Sequence, residues 1–527
     1  MGSPWMVGVA VAVVVASCVF NLLMNLVWRP YALTRRFRAQ GMHGPGYKFF
    51  VGSLSEIKKL RAATAGATLA VGDHDVVPLV QPHLREWITR YGRTFVYWTG
   101  ARPNVCVADM STVSQVLFDR TGLFPKTVMN PHLGRLLGRG LVFIDGDEWR
   151  RHRRAVHPAF DMDKLKMMTA TISDCAGSRM AGWAAQVAKG GGAAEIELSG
   201  ELEELTADVI SHTAFGTSYR EGKQVFLAQR ELLFLAFSTS YDVHVPGLAY
   251  LPTKKNLRTR QLDKTVRATL MAIIKNRLAA GKHDAGGYGD DLLGLMLEAA
   301  CAPASGGAGE SESPAILSMD EIVDECKTFF FAGQDTTSHL LAWAMLLLAT
   351  HPEWQDKLRE EVRRECGGAG EAPPTGDELS RLRLVTMFLL ETLRLYGPAS
   401  QIHREAGEGA RLAGVELPRG TIVTIPVATI HRDAAVWGAD AGEFRPERFA
   451  NGATRAARHP NALLAFSAGP RSCIGQNFAM IEAKAVVAMA LQRFVLELSP
   501  RYVHAPLDVI TLRPRHGLPM LLKTLRM

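Results

Sequence analysis

The residues best placed to do chemistry stand in one run near the C-terminal end, Phe466-Ser467-Ala468-Gly469-Pro470-Arg471-Ser472-Cys473-Ile474-Gly475. Cys473 lies between Gly469 and Gly475, with Arg471 two residues upstream, and a helical segment from Gln476 to Phe494 follows at once. A thiol on a tight loop at a helix N-terminus meets free backbone N–H groups and the positive end of the helix dipole, which favour the thiolate. Such a thiolate serves as a nucleophile or as a metal ligand. A second pair lies in an apolar helix, where the only formal charge between Thr328 and Thr350 is Asp335, followed directly by Thr336. A lone carboxylate there is costly to bury, so it is expected to face a wet or functional cavity. Gly333 removes a side chain where a small molecule must approach, and Thr336 can bond back to a carbonyl and distort the helix, leaving room for water. Asp335 and Thr336 then form a candidate proton relay.

The elements that position these groups follow from spacing. Ser318 and Glu321 form an S-x-x-E capping box that opens a helix running to His351, where Pro352 ends it. A second helix is predicted over Glu378 to Tyr396, with Glu391 and Arg394 meeting at i,i+3. Trp149 and Arg153, four residues apart in Asp145 to Arg154, share a helix face, which leaves Arg150, Arg151 and Arg154 to turn outward. The runs 93–98 and 104–108, with Gly100 and Pro103 between them, read as a hairpin, as do Pro398–His403 and 414–423 as strand and hairpin. Phe124 to Gly140 is expected to be an irregular loop. Lys164 to Ala280 reads as mostly helical, broken at Lys189 to Gly192, and the Gly/Ser/Ala-rich stretches 281–291 and 301–314 read as surface connections.

Composition bounds the compartment. Sixty Lys+Arg against 52 Asp+Glu give a net charge of +8, compatible with an anionic membrane face or an acidic protein partner, and no long basic block favours nucleic acid. Seven dispersed cysteines, without C-x-x-C or metal-like histidine pairing, argue for a reducing compartment without disulfides or zinc. Residues 1–28 carry no Asp, Glu, Lys or Arg, and Pro4 to Trp28 spans about 37 Å as a helix, enough to cross a bilayer. Arg29, Arg35, Arg36 and Arg38 follow this span, which places the N-terminus in the lumen and the rest in the cytosol. Residues 1–28 are therefore expected to be an anchor and 29–46 a basic linker with a proline breaker, while length alone leaves 47–527 as one large domain or two or three average ones.

The pattern F-x-x-G-x-R-x-C-x-G at 466–475 resembles the haem-binding loop of the cytochrome P-450 family, whose cysteine sulfur ligates iron. Further motifs follow the family's order: Trp149 with Arg153, Ala332-Gly333-Gln334-Asp335-Thr336-Thr337, Glu391 with Arg394, and Phe444-Arg445-Pro446-Glu447-Arg448-Phe449. The resemblance covers nearly the whole length. It implies a mainly α haem-thiolate fold with a small β region, as one catalytic domain (47–527) behind a proline hinge and one N-terminal transmembrane helix. It implies haem b (iron protoporphyrin IX) held by Cys473, with Trp149, Arg153, Arg404 and Arg471 as cofactor-binding residues, Asp335 and Thr336 as catalytic residues, and Glu391, Arg394 and Arg448 in a structural network. The implied activity is O2-dependent monooxygenation of a lipophilic small molecule, fed by an NADPH-cytochrome reductase at the endoplasmic reticulum membrane, where Arg150, Arg151 and Arg154 offer a basic docking face. An oxygen-rearranging isomerase is the runner-up, and a haem sensor or electron carrier is the alternative from another class; neither needs the Asp335-Thr336 pair.

Asp208 to Gly216 and Leu251 to Asn256 resemble a membrane-anchored plant clan that holds fatty-acid, gibberellin and cytokinin hydroxylases, and His152 to Met168 is most similar to its fatty-acid branch. A fatty acid is the implied substrate, with a gibberellin or cytokinin as the alternative. Largely apolar runs at 130–140, 234–246, 329–331, 399–402 and 509–512 stand where the family contacts substrate, and Lys126, His132, Arg135 and Arg139 are candidates to hold a carboxylate.

Overall fold

The computed structural model describes the chain apart from residues 1–3, 128–130, 218, 244–246, 248–249, 282–286, 302–316, 369–371 and 526–527. The surface connections read at 281–291 and 301–314 thus lie partly or almost wholly outside the described residues, as do Asn130 and residues 244–246 of the predicted contact runs. The helices that matter to function are, in chain order, α1 (Pro4–Leu23), α2 (Arg29–Ala39), α3 (Gly146–Val156), α4 (Met162–Lys189), α5 (Leu198–Phe215), α6 (Tyr219–Thr239), α7 (Met319–Thr350), α8 (Arg383–Tyr396) and α9 (Gln476–Arg493). The strands are β1 (Thr94–Thr99), β2 (Arg102–Val107), β3 (Ala193–Glu197), β4 (Ile402–Glu405), β5 (Ile422–Ile425), β6 (Phe494–Leu498), β7 (Pro506–Val509), β8 (Thr511–Pro514) and β9 (Pro519–Thr524).

At the centre stands α7, apolar on nearly all sides and therefore interior. It packs against α5, α8, α9, β6 and β8. Its start is the predicted capping box: Ser318 Oγ accepts from the Glu321 N–H at 3.3 Å, and the Glu321 carboxylate accepts from the Ser318 N–H at 2.7 Å. One sheet has the order β1-β2-β5-β4, with the predicted hairpin β1-β2 antiparallel and β2 parallel to β5. Its last strand sets Arg404 opposite Val423. A three-stranded sheet ordered β3-β9-β6 closes the far side, and β7-β8 form a short antiparallel pair whose Thr511 and Arg513 reach α7.

Three expectations change. The loop read over 124–140 contains a helical stretch, Pro131–Leu137, opened by its proline. The helix read over Glu378–Tyr396 is two: Thr375 and Glu378 cap a short helix ending at Arg381, and Leu382 leaves the helical region at ψ 86°. The Glu361 carboxylate then accepts the Leu384 and Val385 N–H groups at 2.8 and 2.9 Å, so a tertiary cap starts α8 afresh. At the N-terminus, α1 continues through a π-helical turn (Met24–Trp28) into α2, so the basic stretch after the anchor begins as helix. Among the described residues, one helix, Gly8–Ala39, is long and apolar enough to cross a membrane.

Candidate functional site

The cysteine loop is shaped by backbone geometry. Gly469 has φ +74°, and a Cβ there would lie 2.1 Å from the Leu117 carbonyl oxygen, so only glycine fits. The Cys473 N–H donates to the Phe466 carbonyl at 2.9 Å, closing the loop, and the sulfur opens onto a large internal cavity. The network expected to lock this loop is present. Arg394 and Glu391, both fully buried, form a bidentate pair at 2.7 Å, and Arg448 approaches Glu391 at 3.5 Å. Arg394 also donates to the His431 carbonyl at 2.7 Å, and His431 Nε2 accepts the Leu464 N–H at 2.9 Å, two residues before the loop begins.

Burial pushes the Cys473 thiol up, against the Gly475 N–H and the Arg153 charge, which favour the thiolate.

Above the loop lies a group of cations with too few anions. Trp149, Arg153 and Arg471 line the same cavity as Cys473. Arg153 donates to the Ser472 carbonyl at 3.2 Å, while Arg471 donates to the Ile144 carbonyl at 2.8 Å, pairs with Asp145 and lies 4.2 Å from the Trp149 ring centroid. Arg404 is buried beside them: Nη1 donates to the His403 carbonyl at 2.9 Å, and Nη2 has no hydrogen-bond partner among the described residues. Burial and the neighbouring Arg471 charge push Arg404 down to about 10. Lys126, on the cavity wall, is pushed down to about 7 by burial, Arg404 and Arg471. Asp145 is the carboxylate that acts on both Lys126 and Arg404. Buried unmatched cations are unstable alone, so this cradle fits a group with carboxylates of its own, as haem b has. Lys126 was a candidate to hold a substrate carboxylate; its neighbours place it in this cradle.

On the opposite wall, α7 presents Thr336, whose hydroxyl donates to the Ala332 carbonyl at 2.7 Å while the helix stays α-helical throughout. Gly333 lines the cavity too, but its missing side chain makes room for packing: a Cβ would lie 2.6 Å from Ile210 on α5. Asp335, expected to be unpaired and facing the cavity, is instead buried on the far side of α7, outside the cavity lining. Its carboxylate accepts from Arg513 at 2.9 Å and Thr511 Oγ1 at 2.5 Å, and His339 Nδ1 lies 3.7 Å away. The partners come from β8, some 175 residues downstream in sequence, and no motif around Asp335 announces them.

The cavity, about 1530 Å³, is walled mostly by apolar side chains such as Leu133, Phe143, Phe237, Phe329, Phe331 and Ile510. Its mouth reaches Asn21, Asn25 and Arg29 on one face of the N-terminal helix. Arg135 and Arg139 do not line it; Arg139 is exposed and lies 3.5 Å from Glu148. The side chain of His132 lies outside the described residues. Of the expected outward basic face, Arg150 and Arg154 are exposed, whereas Arg151 is engaged by Glu321 at the start of α7.

The family model for cytochrome P450 matches residues 79–516. Cytochrome P450 709B1 of Arabidopsis thaliana is 44% identical over 96% of this chain and 96% of its own length. Cytochrome P450 709B3 of Arabidopsis thaliana is 45% identical over 97% and 96%, and cytochrome P450 734A6 of Oryza sativa subsp. japonica 41% over 95% and 93%.

Proposed function

The chain belongs to the cytochrome P450 family, whose members are haem-thiolate proteins, and on that premise we propose that it hydroxylates a fatty acid at the endoplasmic reticulum membrane, with electrons from an NADPH-cytochrome reductase. The observation that carries this reading is the cavity: an apolar chamber of about 1530 Å³ with Cys473 on its floor, Thr336 on its wall and the N-terminal helix at its mouth. Such a chamber suits an alkyl body and disfavours sugars and nucleotides. Arg29 at the mouth supports a carboxylate headgroup left at the membrane surface while the chain enters.

Haem b, held through Cys473, would supply reductive activation of O2. The protein supplies the remainder. Trp149, Arg153, Arg404 and Arg471 would hold the carboxylates of the cofactor, and the loop closed by Gly469 and Phe466 keeps Cys473 at the chamber. The apolar wall excludes bulk water and positions the C–H bond. Thr336 presents a hydroxyl on the cavity wall, and Asp335, held outside that wall by Arg513 and Thr511, is the carboxylate that would have to leave Arg513 and turn toward Thr336 to pass a proton to it. Arg150 and Arg154 supply positive charge for an acidic reductase.

The test is turnover of full-length protein in reductase-containing membranes, with dodecanoic acid, a gibberellin and a cytokinin offered in parallel and products identified by mass spectrometry. A hydroxylated fatty acid formed only with NADPH is expected. Turnover of a hormone without any fatty-acid product overturns the substrate, and NADPH-independent turnover favours an isomerase.

A further inference from the structure

Behind Asp335 lies a set of groups that the reading above leaves unused. His339, one turn along α7, is fully buried, and its Nε2 has no hydrogen-bond partner among the described residues. That nitrogen lies 4.0 Å from the Glu203 carboxylate on α5. On the other side of the ring, Nδ1 lies 3.5 Å from Thr511 Oγ1, which itself donates to Asp335 at 2.5 Å. The Asp335 backbone carbonyl accepts from the ring, and the Thr511 proton is committed to Asp335, so Thr511 oxygen is a second, more distant acceptor; the histidine hydrogen therefore sits on Nδ1 and Nε2 is a bare acceptor near Glu203. Glu203 is near the surface, where the exposed Arg230 of α6 approaches it at 3.4 Å.

We propose that His339 carries protons from Glu203, mostly buried beneath the exposed Arg230, to Asp335 through the Thr511 hydroxyl. The inference rests on the Asp335-Thr336 relay and adds its supply line. In one passage the Glu203 O–H breaks as an N–H forms on His339 Nε2. The Nδ1 N–H breaks as Thr511 Oγ1 takes that proton and passes its own to Asp335. Solvent reprotonates Glu203, and rotation of the imidazole restores its starting form; no electrons move.

The charges around the ring suit this task. Facing His339 are Asp335 on its own helix, Glu203 from α5, Arg230 from α6, and Arg513 with Thr511 from β8. Burial outweighs the Asp335 charge and pushes the imidazole down to about 4, with Arg513 and Arg230 adding to the fall. At neutral pH the ring is thus neutral, with one donor and one acceptor. Burial also raises the Glu203 carboxyl, against Arg230 and Arg513, so it keeps a proton at higher pH than an ordinary glutamate. The separations of 4.0 and 3.5 Å exceed good hydrogen bonds, and catalytic contacts of this kind tighten in the working complex.

The test uses full-length holoenzyme in reductase-containing membranes, with dodecanoic acid as the probe, and follows the fraction of consumed O2 released as peroxide against pH. In the wild type that fraction rises as pH rises through the raised Glu203 titration. His339→Gln, His339→Leu and Glu203→Gln each increase peroxide at low pH by about tenfold and flatten the profile, less than the 10²–10⁴-fold of a group touching the reacting atoms. Glutamine at 339 keeps a hydrogen bond to Thr511 but cannot pass a proton, so a merely structural histidine would be rescued by it. A wild-type profile in His339→Gln therefore overturns the proposal.

A second readout needs no turnover. The C2–H exchange of His339 in D2O, read by mass spectrometry on the holoenzyme, has its midpoint near about 4 and moves lower in Asp335→Asn; an unmoved midpoint also overturns the proposal. Thr336→Ala that stays coupled removes the underlying relay, whereas an uncoupled Thr336→Ala beside a wild-type His339→Gln removes this supply line alone.

Discussion

Two clusters of buried charge flank the cavity, and they are built on opposite plans. Beside the cysteine loop, Lys126, Arg404 and Arg471 gather around Asp145 with Arg153 next to Arg471, and Arg404 Nη2 lacks a partner among the described residues. Behind α7, Asp335 and Glu203 are balanced by Arg513, Arg230 and the neutral His339. An unbalanced cluster is a site waiting for charge from outside, since isolated buried cations are costly. A balanced one is internal machinery that keeps its carboxylate oriented without a ligand. Charge accounting thus separates the proposed cofactor cradle from the proposed proton relay behind α7, although both contain arginine.

The largest effect that tests this division is on turnover. Thr336→Ala removes the hydroxyl at the cavity end of the balanced side, and product formation should fall by about 10²–10⁴-fold with haem content and substrate binding retained. Assay of product and peroxide per NADPH checks it; an unchanged ratio removes Thr336 from the relay. Next, Arg513→Leu leaves Asp335 buried without its cation, at a cost of about 3–5 kcal/mol in stability. Thermal unfolding of the holoenzyme measures this, and Asp335→Asn in the same background should recover much of it.

On the unbalanced side, Arg404→Leu should instead weaken haem retention by about 10- to 100-fold, the equivalent of one charge-assisted hydrogen bond, with little loss in haem-free stability. Transfer of haem to an acceptor globin reports the change, and equal destabilisation of haem-free and haem-bound protein would show that Arg404 is only structural. The smallest effect is a pH slope. The Lys126 ammonium titrates at about 7 in the folded chain and at about 10.4 when unfolded, so between these values the unfolded state binds the extra proton. Haem-free protein should therefore gain stability as pH rises from 7 towards 10, and Lys126→Met should lose that slope.

What the sequence disclosed and what it hid divide along the same line. The cysteine loop, the Trp149-Arg153 spacing, the Ser318-Glu321 capping box and the Glu391-Arg394 pair are local patterns, legible because each is fixed by neighbours within a few residues. The partners of Asp335 are not local: Arg513 and Thr511 arrive on β8, and the Glu203 that faces His339 arrives on α5. An apolar helix with one charge looks the same whether that charge faces a cavity or a distant arginine. The break at Leu382 was hidden for the same reason, since Glu361 from another helix supplies the cap. Gly333 was read for its openness, yet the space belongs to Ile210.

The central proposal is that Cys473, on the cavity lining, would hold the haem iron through its sulfur, and the most direct measurement is the absorption spectrum of the reduced protein under carbon monoxide. Wild-type protein should show the long-wavelength Soret band of a thiolate-ligated haem, and Cys473→Ser should lose that band altogether. A band that survives unchanged in Cys473→Ser would contradict the assignment.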